Sequence, residues 1–275
     1  MPVELKQFNY KISIILLLLI LNNYFLTSIG FFNIVLKKNI IIFFLTIIYF
    51  YLKNFKNNLS LKIYFILILL ICLGSTAKGW DLRSLYLFHS KRIFFDQSLY
   101  SVADNYAVFS HNDYPLLFHS FSASFAFLIG YWHEVFPKSA YTFIYLPPLI
   151  FLSSYILDKK FIILLSLLIF FIGTHLFLGG MDGAVALYFV TTGYCFFKIF
   201  FTKIDKKNSD LFIFTAFLLS VTLSLIKNEG FALLILIFLV TIFLKLFDKE
   251  IPRFSLKFIF LSLSFIPIIL WKVFC

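Results

Sequence analysis

Apolar runs of membrane length follow one another along the chain, each closed by a short polar break. They occupy residues 12–35, 39–52, 61–76, 139–157, 161–178, 183–202, 211–227, 231–247 and 255–274. A hydrocarbon core of about 30 Å takes about 20 helical residues. The runs therefore predict an all-α polytopic membrane protein of about nine transmembrane helices, the short run at 39–52 forming a hairpin with its neighbour. The breaks are Lys37-Lys38, Lys53 to Lys62, Asp158-Lys159-Lys160, Lys203 to Asp210 and Asp248 to Lys257.

One break is different in kind. Residues 77–115 form a polar island that opens with Gly79-Trp80-Asp81 and closes with His111-Asn112-Asp113-Tyr114-Pro115. Lysine- and arginine-rich loops mark the cytoplasmic side of a membrane. Counting back from the basic loops at 158–160, 203–210 and 245–257 places 77–115 outside, as does counting forward from the basic N-terminus. The two counts agree only where 116–136 does not cross. That segment is expected as an interfacial or re-entrant helix, with His119 and His133, and Ser120 and Glu134, two heptads apart on one face. Residues 82–99 carry a second amphipathic stripe, with Leu82, Leu85, Tyr86 and Ile93 opposite Arg83, Ser84, Ser90, Lys91, Gln97 and Ser98. Two amphipathic juxtamembrane helices thus sit in the first large outer loop, and Lys37-Lys38 is the one clear breach of the charge rule.

Composition fits this picture. Hydrophobic residues make up 61% and charged residues 13% of the 275-residue chain, where a soluble domain is about a quarter charged. The whole chain reads as one membrane domain: N-terminal spans 1–76, an outer loop 77–138 and C-terminal spans 139–275. A net charge of +11 spread as lysines over short loops indicates orientation and anionic-lipid contact rather than nucleic acid. The three cysteines form no C-x-x-C pair, and the sequence holds no nucleotide-binding loop or H-E-x-x-H zinc motif.

On this topology Asp81, Asp96, Asp104, Asp113, Glu134, Asp182, Glu229 and all five histidines face the outer side. Each candidate has a plain and a chemical reading. Asp81 either caps the 82–99 helix or acts as a base or metal ligand at the bilayer surface. Asp113 is a turn residue, or pairs with His111 two positions away in an extended segment to hold a cation or a phosphate-bound metal. Asp182, after Gly179-Gly180, caps a span or joins the outer site. Lys227 and Glu229 form an interfacial ion pair, or Lys227 holds a lipid phosphate. Arg83, Lys91 and Arg92 serve phosphate in the same way, or bind headgroups.

The order of these pieces resembles the GT-C glycosyltransferases, specifically the bacterial branch related to protein O-mannosyltransferases and lipid A aminoarabinose transferases. The pieces are Gly79-Trp80-Asp81, Lys91, His111-Asn112-Asp113-Tyr114-Pro115-Leu116, Gly180-Met181-Asp182 and Lys227-Asn228-Glu229-Gly230, together spanning residues 79–230. The resemblance implies a glycosyltransferase of the bacterial inner membrane with its active site on the extracytoplasmic side. Its donor is a polyprenyl-phosphate sugar, and its acceptor a glycan, lipid or protein. Asp81 is then the catalytic base; Arg83, Lys91 and Lys227 face the phosphate; and His111, Asp113, Tyr114, Asp182 and Glu229 line the donor site, His111 and Asp113 with a divalent cation. Members of that family continue beyond the point where this chain stops, at Val273-Phe274-Cys275, so 139–275 is expected to be a truncated C-terminal half.

Two other classes compete. A transporter or lipid flippase places ionisable residues near the midplane, beside broken helices or in repeated halves, whereas these charges gather at span ends and no internal repeat is visible. An envelope polymerase or ligase calls for a large arginine-rich loop later in the chain, which the sequence lacks.

Overall fold

The computed structural model describes residues 3–53, 59–74, 79–80, 82–97, 111, 113–155, 160, 163, 180–202, 204, 208–247 and 256–274. Among these every regular element is helical. Ten helices follow in chain order: α1 (Val3–Ser28), α2 (Ile34–Lys53), α3 (Leu59–Gly74), α4 (Leu87–Asp96, entered through a π-helical turn at Leu82–Tyr86) and α5 (Leu117–Ile129). They continue as α6 (Val135–Leu152), α7 (Asp182–Phe201), α8 (Ser209–Ile226), α9 (Asn228–Phe247) and α10 (Leu256–Phe274). Seven of them, all but α3, α4 and α5, are long and apolar enough to cross a membrane. The expected span at 161–178 lies almost entirely outside the described residues, and α3, at 16 residues, is short.

Helix α1 is the hub. It packs against α2, α5, α6 and α8, and it carries polar residues where it meets them. Apolar contact alone does little to hold helices together in lipid, so interhelical hydrogen bonds take on part of that work. Asn9 donates to Ser153 Oγ at 3.3 Å and Ser13 to the Pro147 carbonyl at 2.9 Å, both on α6 or its end. Toward α2, Asn22 donates to Asn39 Oδ1 at 2.9 Å, and Asn39 donates back to the Leu19 carbonyl at 2.8 Å. Phenylalanines fill the space beyond, with Phe43 and Phe44 of α2 edge-on to Phe121, Phe125 and Phe143.

Helices α4 and α5 lie within the two stretches expected to be amphipathic, and both bury residues expected to be solvated. Helix α5 stops at Ile129, where Gly130 takes a left-handed conformation (φ 83°) and its amide caps Ala126. His133 and Glu134 therefore lie beyond the helix and are exposed, while His119 and Ser120 are fully buried against α1, α2 and α4. The two-heptad face does not form, because the glycine ends the helix first. In α4, Ser90 is buried rather than solvated; its hydroxyl returns to the Tyr86 carbonyl at 2.6 Å, so it can face the core.

The ends of the long helices collect in two layers. Lys6, Lys53, Lys62, Lys198 and Lys245 belong to one. There Lys6 lies over Tyr155, Lys53 over Phe8 and Lys245 over Phe201, and Lys62 donates to the Tyr51 carbonyl at 3.1 Å. The other layer holds the C-terminal ends of α1, α8 and α10 and the N-terminal ends of α7 and α9. All the described members of the candidate site sit in that second layer.

Candidate functional site

The site forms where helix ends meet. Helix α8 ends at Ile226, Lys227 is extended, and α9 begins at Asn228. So abrupt a reversal needs a glycine: a Cβ on Gly230 would lie 2.0 Å from the Leu223 carbonyl oxygen. The reversal gives three successive side chains partners at one junction, Lys227 and Glu229 pairing with each other and Asn228 reaching Asp113.

Lys227 sits between two acids, its Nζ 2.9 Å from Asp182 Oδ1 and 3.1 Å from Glu229 Oε1. Asp182 is the first residue of α7, where a carboxylate also complements the helix dipole. Burial pulls the Lys227 ammonium down, but its hydrogen bonds and charge pairing with Asp182 and Glu229 outweigh it, raising its pKa above the usual 10.5. Lys227 therefore stays protonated across all physiological pH. Its Nζ also lies 5.9 Å from the centre of the Tyr114 ring, within cation–π range.

Asn228 turns the other way and donates to Asp113 Oδ2 at 2.5 Å. Asp113 lies in a tight turn closed by the Tyr114 amide on the His111 carbonyl at 3.1 Å, with His111 in a left-handed conformation (φ 50°). The imidazole stacks on Tyr114 at 5.1 Å, and its Nδ1 is 4.0 Å from Asp113 Oδ1. From the far side α10 reaches the same turn. Trp271 Nε1 and Lys272 Nζ both donate to the Asp113 carbonyl oxygen, at 3.1 and 3.3 Å, and Lys272 Nζ is 3.8 Å from Asp113 Oδ2.

Six of the residues singled out from sequence thus come together: His111, Asp113, Tyr114, Asp182, Lys227 and Glu229. Two others, Arg83 and Lys91, do not join them among the described residues. Arg83 is exposed, and its amide closes a helical turn onto Gly79. Lys91 is exposed over Phe95 of its own helix. Asp81 lies outside the described residues. The π-helical turn at Leu82–Tyr86 packs on the first turn of α5, with Tyr86 edge-on to Phe118 and stacked on His119. Sequence reasoning passed over Asn228, Trp271 and Lys272. Only the first carried a signal, as the polar residue inside Lys227-Asn228-Glu229-Gly230.

As a cation site the turn offers His111 and Asp113. Among the described residues no group of three or more histidine, cysteine, aspartate or glutamate side chains forms a metal-holding set. The junction instead offers carboxylates and an amide to accept and donate hydrogen bonds, with two ammonium groups fixed beside them at a helix-end surface. No family model, curated protein or solved structure matches this chain.

Proposed function

We propose that the protein is a membrane glycosyltransferase of the GT-C type, moving a sugar from a polyprenyl-phosphate donor to an envelope glycan, lipid or protein on the extracytoplasmic side. The observation that carries this reading is the meeting of three separated motifs at one layer of helix ends. Lys227 binds Asp182 at 2.9 Å and Asn228 binds Asp113 at 2.5 Å, joining residues 113, 182 and 228 across more than a hundred positions of chain. Charge placed at span ends also favours an enzyme at the bilayer surface over a transporter, which needs it at the midplane.

In the proposed topology the lysine-rich layer faces the cytoplasm, about nine spans cross, and α4 and α5 belong to the outer loop. The acceptor hydroxyl oxygen attacks the sugar's anomeric carbon from the face opposite the phosphate. The bond from that carbon to the phosphate oxygen breaks, its electron pair leaves with the lipid phosphate, and the configuration inverts. Asp81 takes the hydroxyl proton. Asp113, Asp182 and Glu229 accept hydrogen bonds from sugar hydroxyls, and Tyr114 gives the sugar a flat apolar face. Fixed ammonium groups at the junction stabilise the charge that grows on the phosphate. A divalent cation carried in on that phosphate would meet His111 and Asp113.

The test is transfer of labelled sugar from a polyprenyl-phosphate donor to endogenous acceptors in membranes carrying the full chain. Asp81→Asn is expected to lower transfer by roughly a hundredfold or more, the scale of a lost general base. Undiminished transfer with that variant would refute the assignment of the base, and no transfer by the wild type from any such donor would refute the reading.

A further inference from the structure

We propose that α10 seats the phosphate and the first length of hydrocarbon of a polyprenyl-phosphate lipid, with Lys272 as the phosphate-contacting cation and Trp271 as the wall between charge and hydrocarbon. This rests on the proposed function in taking the donor to be a lipid phosphate, and it moves the phosphate contact away from Lys227.

The two lysines at the junction are held differently. Lys227 is 14% exposed and gripped by two carboxylates at 2.9 and 3.1 Å. A phosphate reaching it would meet the negative charge of both acids. Lys272 is 37% exposed, it donates to a neutral carbonyl at 3.3 Å, and among the described residues the one carboxylate beside it stands 3.8 Å away. It can turn to an incoming anion while Asp113 keeps the Asn228 amide as a partner. Lys227 organises the acids, and Lys272 is the cation available to a ligand.

The neighbouring residue supplies the second half of the site. Trp271 donates to the same carbonyl oxygen as Lys272, and it lines a groove of about 230 Å³ between the last turns of α1 and α10. Tyr24, Phe25, Ser28, Leu270 and Phe274 are among its other lining residues. Phe25, Leu270 and Phe274 are exposed at its rim, as residues facing lipid are. The volume is below the usual 300–1,000 Å³ of a small-molecule pocket. It takes the start of one chain, leaving the remainder in the bilayer, which suits a single-chain isoprenoid better than a two-chain phospholipid. An apolar slot whose Trp271 shares a hydrogen-bond acceptor with a neighbouring cation suits a lipid phosphate.

The test uses the full chain in phosphatidylcholine nanodiscs and a diazirine-bearing farnesyl phosphate, with cross-linked residues located by mass spectrometry. Adducts are expected within 24–29 and 266–274. Undecaprenyl phosphate should suppress them, while undecaprenol, inorganic phosphate and phosphatidylglycerol should not. Lys272→Gln is expected to weaken labelling roughly tenfold, about the worth of one charge-assisted contact, and Lys272→Arg to restore it. Ser28→Trp, which fills the groove and leaves both lysines in place, should also reduce it. Adducts elsewhere, equal competition by phosphatidylglycerol, or wild-type labelling of Lys272→Gln and Ser28→Trp would each overturn the proposal. Labelling as expected in a protein that transfers no sugar sinks the transferase reading alone. Wild-type transfer rates with Lys272→Gln sink this seat and leave the transferase reading standing.

Discussion

Gly230 holds the geometry of the candidate site through a steric limit. The carbonyl oxygen of Leu223 lies where any Cβ would go, at 2.0 Å, and a backbone atom cannot rotate away as a side chain can. Gly230→Ala must therefore push the first turn of α9 off the end of α8. That turn carries Asn228 and Glu229, so their contacts with Asp113 and Lys227 loosen together. Overpacking of this kind costs about 1–3 kcal/mol. The expected result is a clearly lower unfolding midpoint in detergent, read by the loss of monodisperse protein after heating. A midpoint equal to the wild type would mean that the reversal is not constrained at this residue. Most of the junction was visible in the sequence for one reason: in so apolar a chain, polar residues at span ends stand out. Asp113, Asp182, Lys227 and Glu229 do so. Trp271 and Lys272 do not, because a tryptophan and a lysine ending a span look the same as the anchors found at any membrane interface. Only their shared hydrogen-bond acceptor separates them from that background.

At the scale of the element, α6 is the helix whose sequence and structure are hardest to reconcile without a neighbour. Pro147 and Pro148 cannot donate to the carbonyls four residues earlier, Phe143 and Ile144. An unpaired carbonyl in an apolar interior is costly, and membrane helices tolerate proline when another element supplies the missing donor. For Ile144 that donor is Tyr188 of α7, whose hydroxyl reaches the carbonyl at 3.0 Å from a fully buried position. Tyr188→Phe keeps the ring and removes only the proton. It is expected to destabilise by about 0.6–1.7 kcal/mol, the range measured for interhelical hydrogen bonds in membranes. Thermal unfolding of the two proteins in the same detergent checks it, and an unchanged midpoint would mean the carbonyl finds another partner. The hydrophobic pattern marked α6 as a span and located its polar flanks. It carried no information on the pairing with Tyr188, since a buried tyrosine inside an apolar run reads the same whether it meets a carbonyl or a lipid. The same blindness explains α5: apolarity announced a helix, but not that Gly130 would end it early and bury it among α1, α2 and α4.

Across the whole molecule, charge is sorted by layer. Lys6, Lys53, Lys62, Lys198 and Lys245 crowd one set of helix ends, while Asp113, Asp182 and Glu229 meet at the other. Nothing in helix packing requires this, because lysines could sit at either end of a span at equal cost to the fold. Membrane insertion does require it, since lysine-rich loops are retained in the cytoplasm. Lys37 and Lys38, exposed at the start of α2, and Lys227 and Lys272 of the junction itself lie in the acidic layer and oppose the trend, as Glu4 and Asp210 do at the other ends of α1 and α8. The proposed function rests on the orientation that the charge rule favours, with the lysine-rich layer in the cytoplasm. Single cysteines introduced into a protein whose native cysteines are replaced give a direct measurement. Asp182→Cys and Glu229→Cys are expected to react with a membrane-impermeant maleimide added to intact cells, and Lys53→Cys only after the cells are opened. The reverse pattern would place the acidic layer in the cytosol, where a polyprenyl-phosphate donor displayed on the outer leaflet has no access to Asp113, Asp182 or Lys272, and the proposed transfer would have no substrate.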